Sequence, residues 1–138
     1  KRLQTNYLNK ENKMNNDKYS IAIIDDETEI LNVLSRFLTR NPDFSVSTYS
    51  NPISALSSLG NSKVDLVLLD IMMPQMNGLE VLEKLKANNS EQKVIMMTAY
   101  STLDKVLKSH KEGATNYVMK PFDSLPALEK KIIEVLKS

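Results

Sequence analysis

Three aspartates, a threonine and a lysine stand where apolar runs of this chain end. Asp25 and Asp26 follow SIAII, Asp70 follows VDLVLL, Thr98 closes KVIMMT and Lys120 follows ATNYVM. Carboxylates brought together repel one another and raise each other's pKa. A hard divalent cation relieves this, because Mg²⁺ takes a few carboxylate or carbonyl oxygens and keeps several waters. A carboxylate beside such an ion can act as a nucleophile and accept a phosphoryl group. In-line phosphoryl transfer then needs charge neutralised on the equatorial oxygens, which the ion, a lysine and a hydroxyl supply. Each residue also has a plainer reading. Asp25 and Asp26 could cap the helix that follows, Asp70 could be a turn residue, Thr98 a strand-end hydroxyl and Lys120 a solvent-facing cation. Their coincidence at separate strand ends favours the chemical reading. There is no Walker-type glycine loop and no GxGxxG run, so nucleotide binding is not indicated.

For these side chains to meet, the strands that carry them must share one edge. Apolar runs predict strands over 20–24, 64–69, 93–98 and 114–119, and the alternating, β-branched FSVSTY predicts one over 44–49. Helical spacing of Ile30, Leu31, Leu34, Phe37 and Leu38 marks a buried stripe in the first helix. Asn51 and Pro52 open a short helix that Gly60 can end, and GLEVLEKL from Gly78 is amphipathic. Ser101 can cap TLDKVLKSHKE, with Gly113 just beyond its end, and Asp123 can cap a last helix with the stripe Leu125, Leu128, Ile132 and Leu136. Short apolar strands alternating with helices predict an open, doubly wound α/β domain, a five-stranded parallel sheet with helices on both faces. Such sheets bind ligands at the carboxyl ends of their strands.

The 138 residues suffice for one buried core. Residues 1–18 are polar, carry five basic against two acidic side chains, and read as an N-terminal tail or linker; residues 19–138 form the expected domain. That body holds thirteen basic and fifteen acidic residues, which weighs against direct nucleic-acid binding by this segment. No cysteine is present, so disulfides and thiolate metal sites are excluded. Without a signal-peptide pattern or a long apolar run, the expectation is no membrane insertion and a cytoplasmic location.

The chain resembles the receiver domains of two-component response regulators over about residues 19–137. IIDDE at 23–27 is similar to the family's acidic pair, and LLDIMMPQMNG at 68–78 to its phosphoacceptor motif. MTAY at 97–100 and YVMKPF at 117–122 match its remaining signature segments. The resemblance implies the flavodoxin-like (βα)5 strand order 2-1-3-4-5. It implies that Asp70 accepts a phosphoryl group from a sensor histidine kinase or a histidine phosphotransfer protein. Asp26, Asp70 and the Met72 carbonyl would ligate Mg²⁺, with Mn²⁺ or Ca²⁺ as substitutes, and Asp25 would act mainly through water. Lys120 and Thr98 would contact the phosphoryl oxygens, and the Lys120–Pro121 bond would be cis. Tyr117, otherwise an aromatic packed on the sheet edge, would be a switch coupled to Thr98. Together they would remodel the surface of the fourth helix, fifth strand and last helix, a surface also suited to homodimerisation.

The catalysis implied is limited to self-phosphorylation and autodephosphorylation. Two other classes compete. A pseudo-receiver would keep the fold as an interaction module and lack an acid or the lysine, and none is lacking here. An aspartyl phosphohydrolase would add an acid–base residue and a substrate pocket. His110 reads as a solvent-facing or half-buried helical histidine rather than a phosphohistidine, and the methionines read as core and loop fillers. Cognate kinase and output are not legible: a stand-alone receiver, part of a DNA-binding regulator and part of a hybrid kinase all fit.

Overall fold

The computed structural model describes residues 17–99 and 116–138. The predicted fourth helix, with Ser101, His110 and Gly113, lies outside the described residues, as do Tyr100 and most of the expected tail. Strands β1 (Tyr19–Ile24), β2 (Phe44–Tyr49), β3 (Leu66–Asp70), β4 (Lys93–Ala99) and β5 (Asn116–Lys120) form one sheet in the order β2-β1-β3-β4-β5. Every neighbouring pair is parallel. Strand order reverses beside β1, so β1 and β3 start from adjacent positions and run their carboxyl ends toward one crevice.

Alternation along the strands divides the core in two. Ile21, Ile23, Leu66, Leu68, Ile95 and Met97 face α1 (Thr28–Leu38) and the C-terminal helix (Leu125–Leu136), packing on Leu34, Leu38, Leu128 and Ile132. Ala22, Ile24, Val67, Leu69 and Met96 face the other way, onto α2 (Pro52–Leu59) and α3 (Gly78–Asn88) through Ala55, Val81, Leu82 and Leu85. Burying both faces of β3 requires the unbroken apolar run that this strand has.

The capping of two helices departs from the sequence reading. Asp123 does not cap the last helix; Ser124, in extended backbone, accepts from the Ala127 amide at 3.0 Å. The cap thus falls one residue later, where the side-chain oxygen reaches the third helical amide. At α1 the capping position is Glu27, with no side-chain cap bond, while Asp25 accepts from the Glu27 amide at 2.9 Å. Asp25 therefore shapes the turn before the helix rather than the helix end. At α2 the Asn51 cap stands, accepting from Ile53 at 2.8 Å. Of the methionines, Met73, Met96 and Met97 are buried fillers, whereas Met72 and Met119 are exposed.

Candidate functional site

Strand parity carries the polar cluster to one place. Asp70 continues the Leu66–Leu68 face of β3, and Lys120 continues the Val118 face of β5, both toward α1 and the C-terminal helix. Asp25 lies just past the end of β1, where its amide donates to the Tyr49 carbonyl at 3.1 Å. Asp25, Asp70 and Thr98 are buried polar residues. A cleft of about 510 Å³ opens over them, lined among others by Asp26, Glu27, Asp70, Met72, Thr98 and Lys120. Asp26 faces this cleft, whereas Asp25 does not line it, sitting fully buried behind.

The loop after Asp70 is closed tightly. The Gly78 amide donates to the Ile71 carbonyl at 2.7 Å, and the Ile71 amide donates to Met97 on β4 at 3.2 Å. A Cβ at Gly78 would collide with the Asp70 carbonyl oxygen and stand 2.7 Å from the Ile71 Cα, so only glycine fits this approach. Asn77 then caps α3, accepting from the Glu80 amide at 3.1 Å. The segment leaves Met72 exposed at the cleft.

Lys120 is the centre of the charge arrangement. Its Nζ donates to Asp25 Oδ2 at 2.9 Å, to Glu27 Oε1 at 3.0 Å and to Asp70 Oδ1 at 3.4 Å. Burial on its own would lower the ammonium pKa, but the bonds to Asp25 and Glu27 outweigh it and hold the group above its ordinary value. Burial pushes the Asp70 carboxyl up to about 7, the nearby Asp25 charge adds to this, and Lys120 only partly offsets both. Asp25 is also raised, chiefly by burial. The ammonium does not fully compensate the acids.

One carboxylate oxygen from each of Asp25, Asp26 and Asp70 lies within 4.8 Å of the others, a group able to hold a metal ion. The donors are all hard oxygens, a set that suits Mg²⁺, Mn²⁺ or Ca²⁺ rather than soft metals. Thr98 Oγ1 donates to the Ala99 carbonyl at 3.1 Å and faces the same cleft. Tyr117 is half-buried and packs against the α2–α3 side of the core, away from the cleft lining. In the β4–β5 register Met96 opposes Tyr117 and Thr98 opposes Met119, so Thr98 and Tyr117 are diagonal neighbours on one face. The Lys120–Pro121 peptide bond is cis. The residue to which sequence reasoning gave no role is Glu27; its signal was an acid directly after the Asp25–Asp26 pair.

Fold and site together define a receiver module of two-component signalling. The chain belongs to the response regulator receiver domain family, whose model matches residues 21–133. It is 37% identical over 105 residues to the transcriptional regulatory protein MalR of Bacillus subtilis, covering 75% of this chain and 45% of that one. It is 34% identical to the transcriptional regulatory protein ZraR of Klebsiella oxytoca, covering 80% of this chain and 25% of that protein. The chain thus spans less than half the length of these relatives. A crystal structure of a CheY-like receiver domain protein from Methanospirillum hungatei superimposes with a TM-score of 0.82 at 33% identity, covering 88% of this chain and 95% of that one. The acidic cluster and the Lys120 ion pairs match the aspartate-phosphorylation and metal site of receiver domains, a phosphorylation-activated switch. Among the described residues no helix is long and apolar enough to cross a membrane.

Proposed function

We propose that Asp70 is the phosphoacceptor of this receiver and that a sensor histidine kinase or histidine phosphotransfer protein is its donor. The observation that carries this reading is the position of Asp70: buried, grouped with Asp25 and Asp26, and within 3.4 Å of Lys120. An Asp70 oxygen attacks the phosphorus of the phosphohistidine. The P–N bond breaks, its electron pair stays on the imidazole nitrogen, which takes up a proton, and an acyl phosphate forms. Asp26, Asp70 and the Met72 carbonyl would hold Mg²⁺, with Asp25 behind them. The ion would keep Asp70 ionised despite a pKa near 7 and neutralise charge on the phosphoryl oxygens. Mn²⁺ and Ca²⁺ suit the same oxygens.

Lys120 leaves the Asp70 carboxylate for a phosphoryl oxygen, and Thr98 exchanges its Ala99 carbonyl for another. Tyr117, diagonal to Thr98, follows this movement inward and biases a two-state surface on β5 and its neighbouring helices. That surface is the candidate for homodimerisation. The names of the relatives, transcriptional regulatory proteins, support a role in transcription regulation, and the proposed location is the cytoplasm.

Intact-mass measurement after acetyl phosphate and Mg²⁺ tests the reading. One added phosphoryl group is expected on the wild-type chain and none on Asp70→Asn. An unlabelled wild type, or a labelled Asp70→Asn, overturns it. A pseudo-receiver would be unlabelled.

A further inference from the structure

Of the three carboxylates that receive Lys120, Glu27 differs in kind. Its side chain is 59% exposed, whereas those of Asp25 and Asp70 are 0% and 6% exposed. It also stands outside the group of oxygens able to hold a metal, which contains Asp25, Asp26 and Asp70 alone among the described residues. Yet its bond to Lys120, at 3.0 Å, is within 0.1 Å of the 2.9 Å bond to buried Asp25 and shorter than the 3.4 Å contact to Asp70. The ammonium therefore leans away from the phosphoacceptor, toward the start of α1.

With a cation held by Asp26, Asp70 and the Met72 carbonyl, and Asp25 acting on it through water, the Asp25 and Asp70 oxygens would be shared and Glu27 would be the anion left wholly to Lys120. From these contacts we infer that Glu27 is a latch that holds Lys120 in its resting position, and that the ammonium must leave Glu27 to reach the phosphoryl group. Glu27 is then a positioning residue that opposes phosphorylation, acting through Lys120 without touching the phosphoryl group. The inference rests on Asp70 being the phosphoacceptor. Because the latch is a partly exposed ion pair, breaking it is worth a few-fold in an equilibrium constant rather than orders of magnitude.

Beryllofluoride, a phosphoryl mimic, titrated at saturating Mg²⁺ into the full chain provides the test, with Glu27→Gln and Glu27→Asp compared. Glu27→Gln removes the charge. Glu27→Asp keeps it but withdraws the carboxylate by one methylene, so it loses the bond and not the field. A latch predicts that both variants bind beryllofluoride about two- to fivefold more tightly than wild type. The Asp70 phosphorylation rate by acetyl phosphate would rise in parallel, with thermal stability unchanged. Tightening in Glu27→Gln alone assigns the effect to charge and overturns the latch; so does unchanged or weaker binding in both. No uptake by the wild type would overturn the phosphoacceptor reading and the latch with it, which distinguishes that failure from the others.

Discussion

Lys120 Nζ lies 2.9 Å from Asp25 Oδ2 and 3.4 Å from Asp70 Oδ1, and so bridges the ends of β1 and β3 from the end of β5. The bridge is a resting arrangement: the same ammonium offsets the acids before a phosphoryl group arrives and would pair with that group afterwards. On the proposed function, stability and signalling would be coupled through this one side chain.

Replacing Lys120 leaves buried carboxylates without their cation. Lys120→Ala is expected to lower stability by about 2–3 kcal/mol at neutral pH in EDTA. Mg²⁺ still binds and recovers most of the loss, since the ion takes over the charge. Urea unfolding with and without Mg²⁺ measures both. Equal destabilisation in the two conditions would mean that Lys120 acts through packing.

The raised Asp70 pKa, about 7 against an ordinary 3.8, means that the folded chain holds this proton more tightly than the unfolded chain. Its favourable contribution is complete below about pH 4 and is lost as pH rises through 7. Without metal, Asp70→Asn should therefore be more stable than wild type by about 2 kcal/mol at pH 8, a gain that disappears near pH 4. Chemical denaturation across that range checks the convergence.

Gly78→Ala forces a methyl group into the Asp70 and Ile71 backbone. A loss of about 2–4 kcal/mol is expected, because backbone atoms cannot move aside as a flexible side chain would. Slower labelling of Asp70 by acetyl phosphate should accompany it, since the displaced loop carries Met72.

Thr98→Ala should still label at Asp70 but transmit little to β5, whereas Thr98→Ser keeps the hydroxyl and the response. Hydrogen exchange over Asn116–Lys120, with and without beryllofluoride, reads the difference. A full response in Thr98→Ala would remove Thr98 from the switch.

Much of this architecture was legible because β-strands buried on both faces leave a plain mark. FSVSTY was bounded at 44–49 as observed, and the apolar run before Asp70 led directly to β3. The sequence pattern starts β3 at Val64, two residues before its observed start at Leu66. Val64 is apolar like the Leu66–Leu69 run beyond it, but Asp65 is tied to Ser20 by paired side-chain and main-chain bonds that no local pattern reveals. The last helix was capped one residue early because Asp123 and Ser124 are both good caps, and only the backbone angles choose between them. Asp25, Asp26, Asp70 and Lys120 were legible as strand-end residues. That Glu27 also reaches Lys120 depends on a contact across 93 residues of sequence, which spacing cannot show.

The bond from the Gly78 amide to the Ile71 carbonyl closes the acceptor loop from within, by backbone alone. This backbone closure works together with Ile71 and Met73, whose buried side chains anchor the loop in the core beside α2 and α3. Met72, exposed at the cleft, could be exchanged for residues of other size or polarity without moving Asp70. Change at this rim would thus alter what an arriving molecule meets while the anchorage beneath is inherited intact.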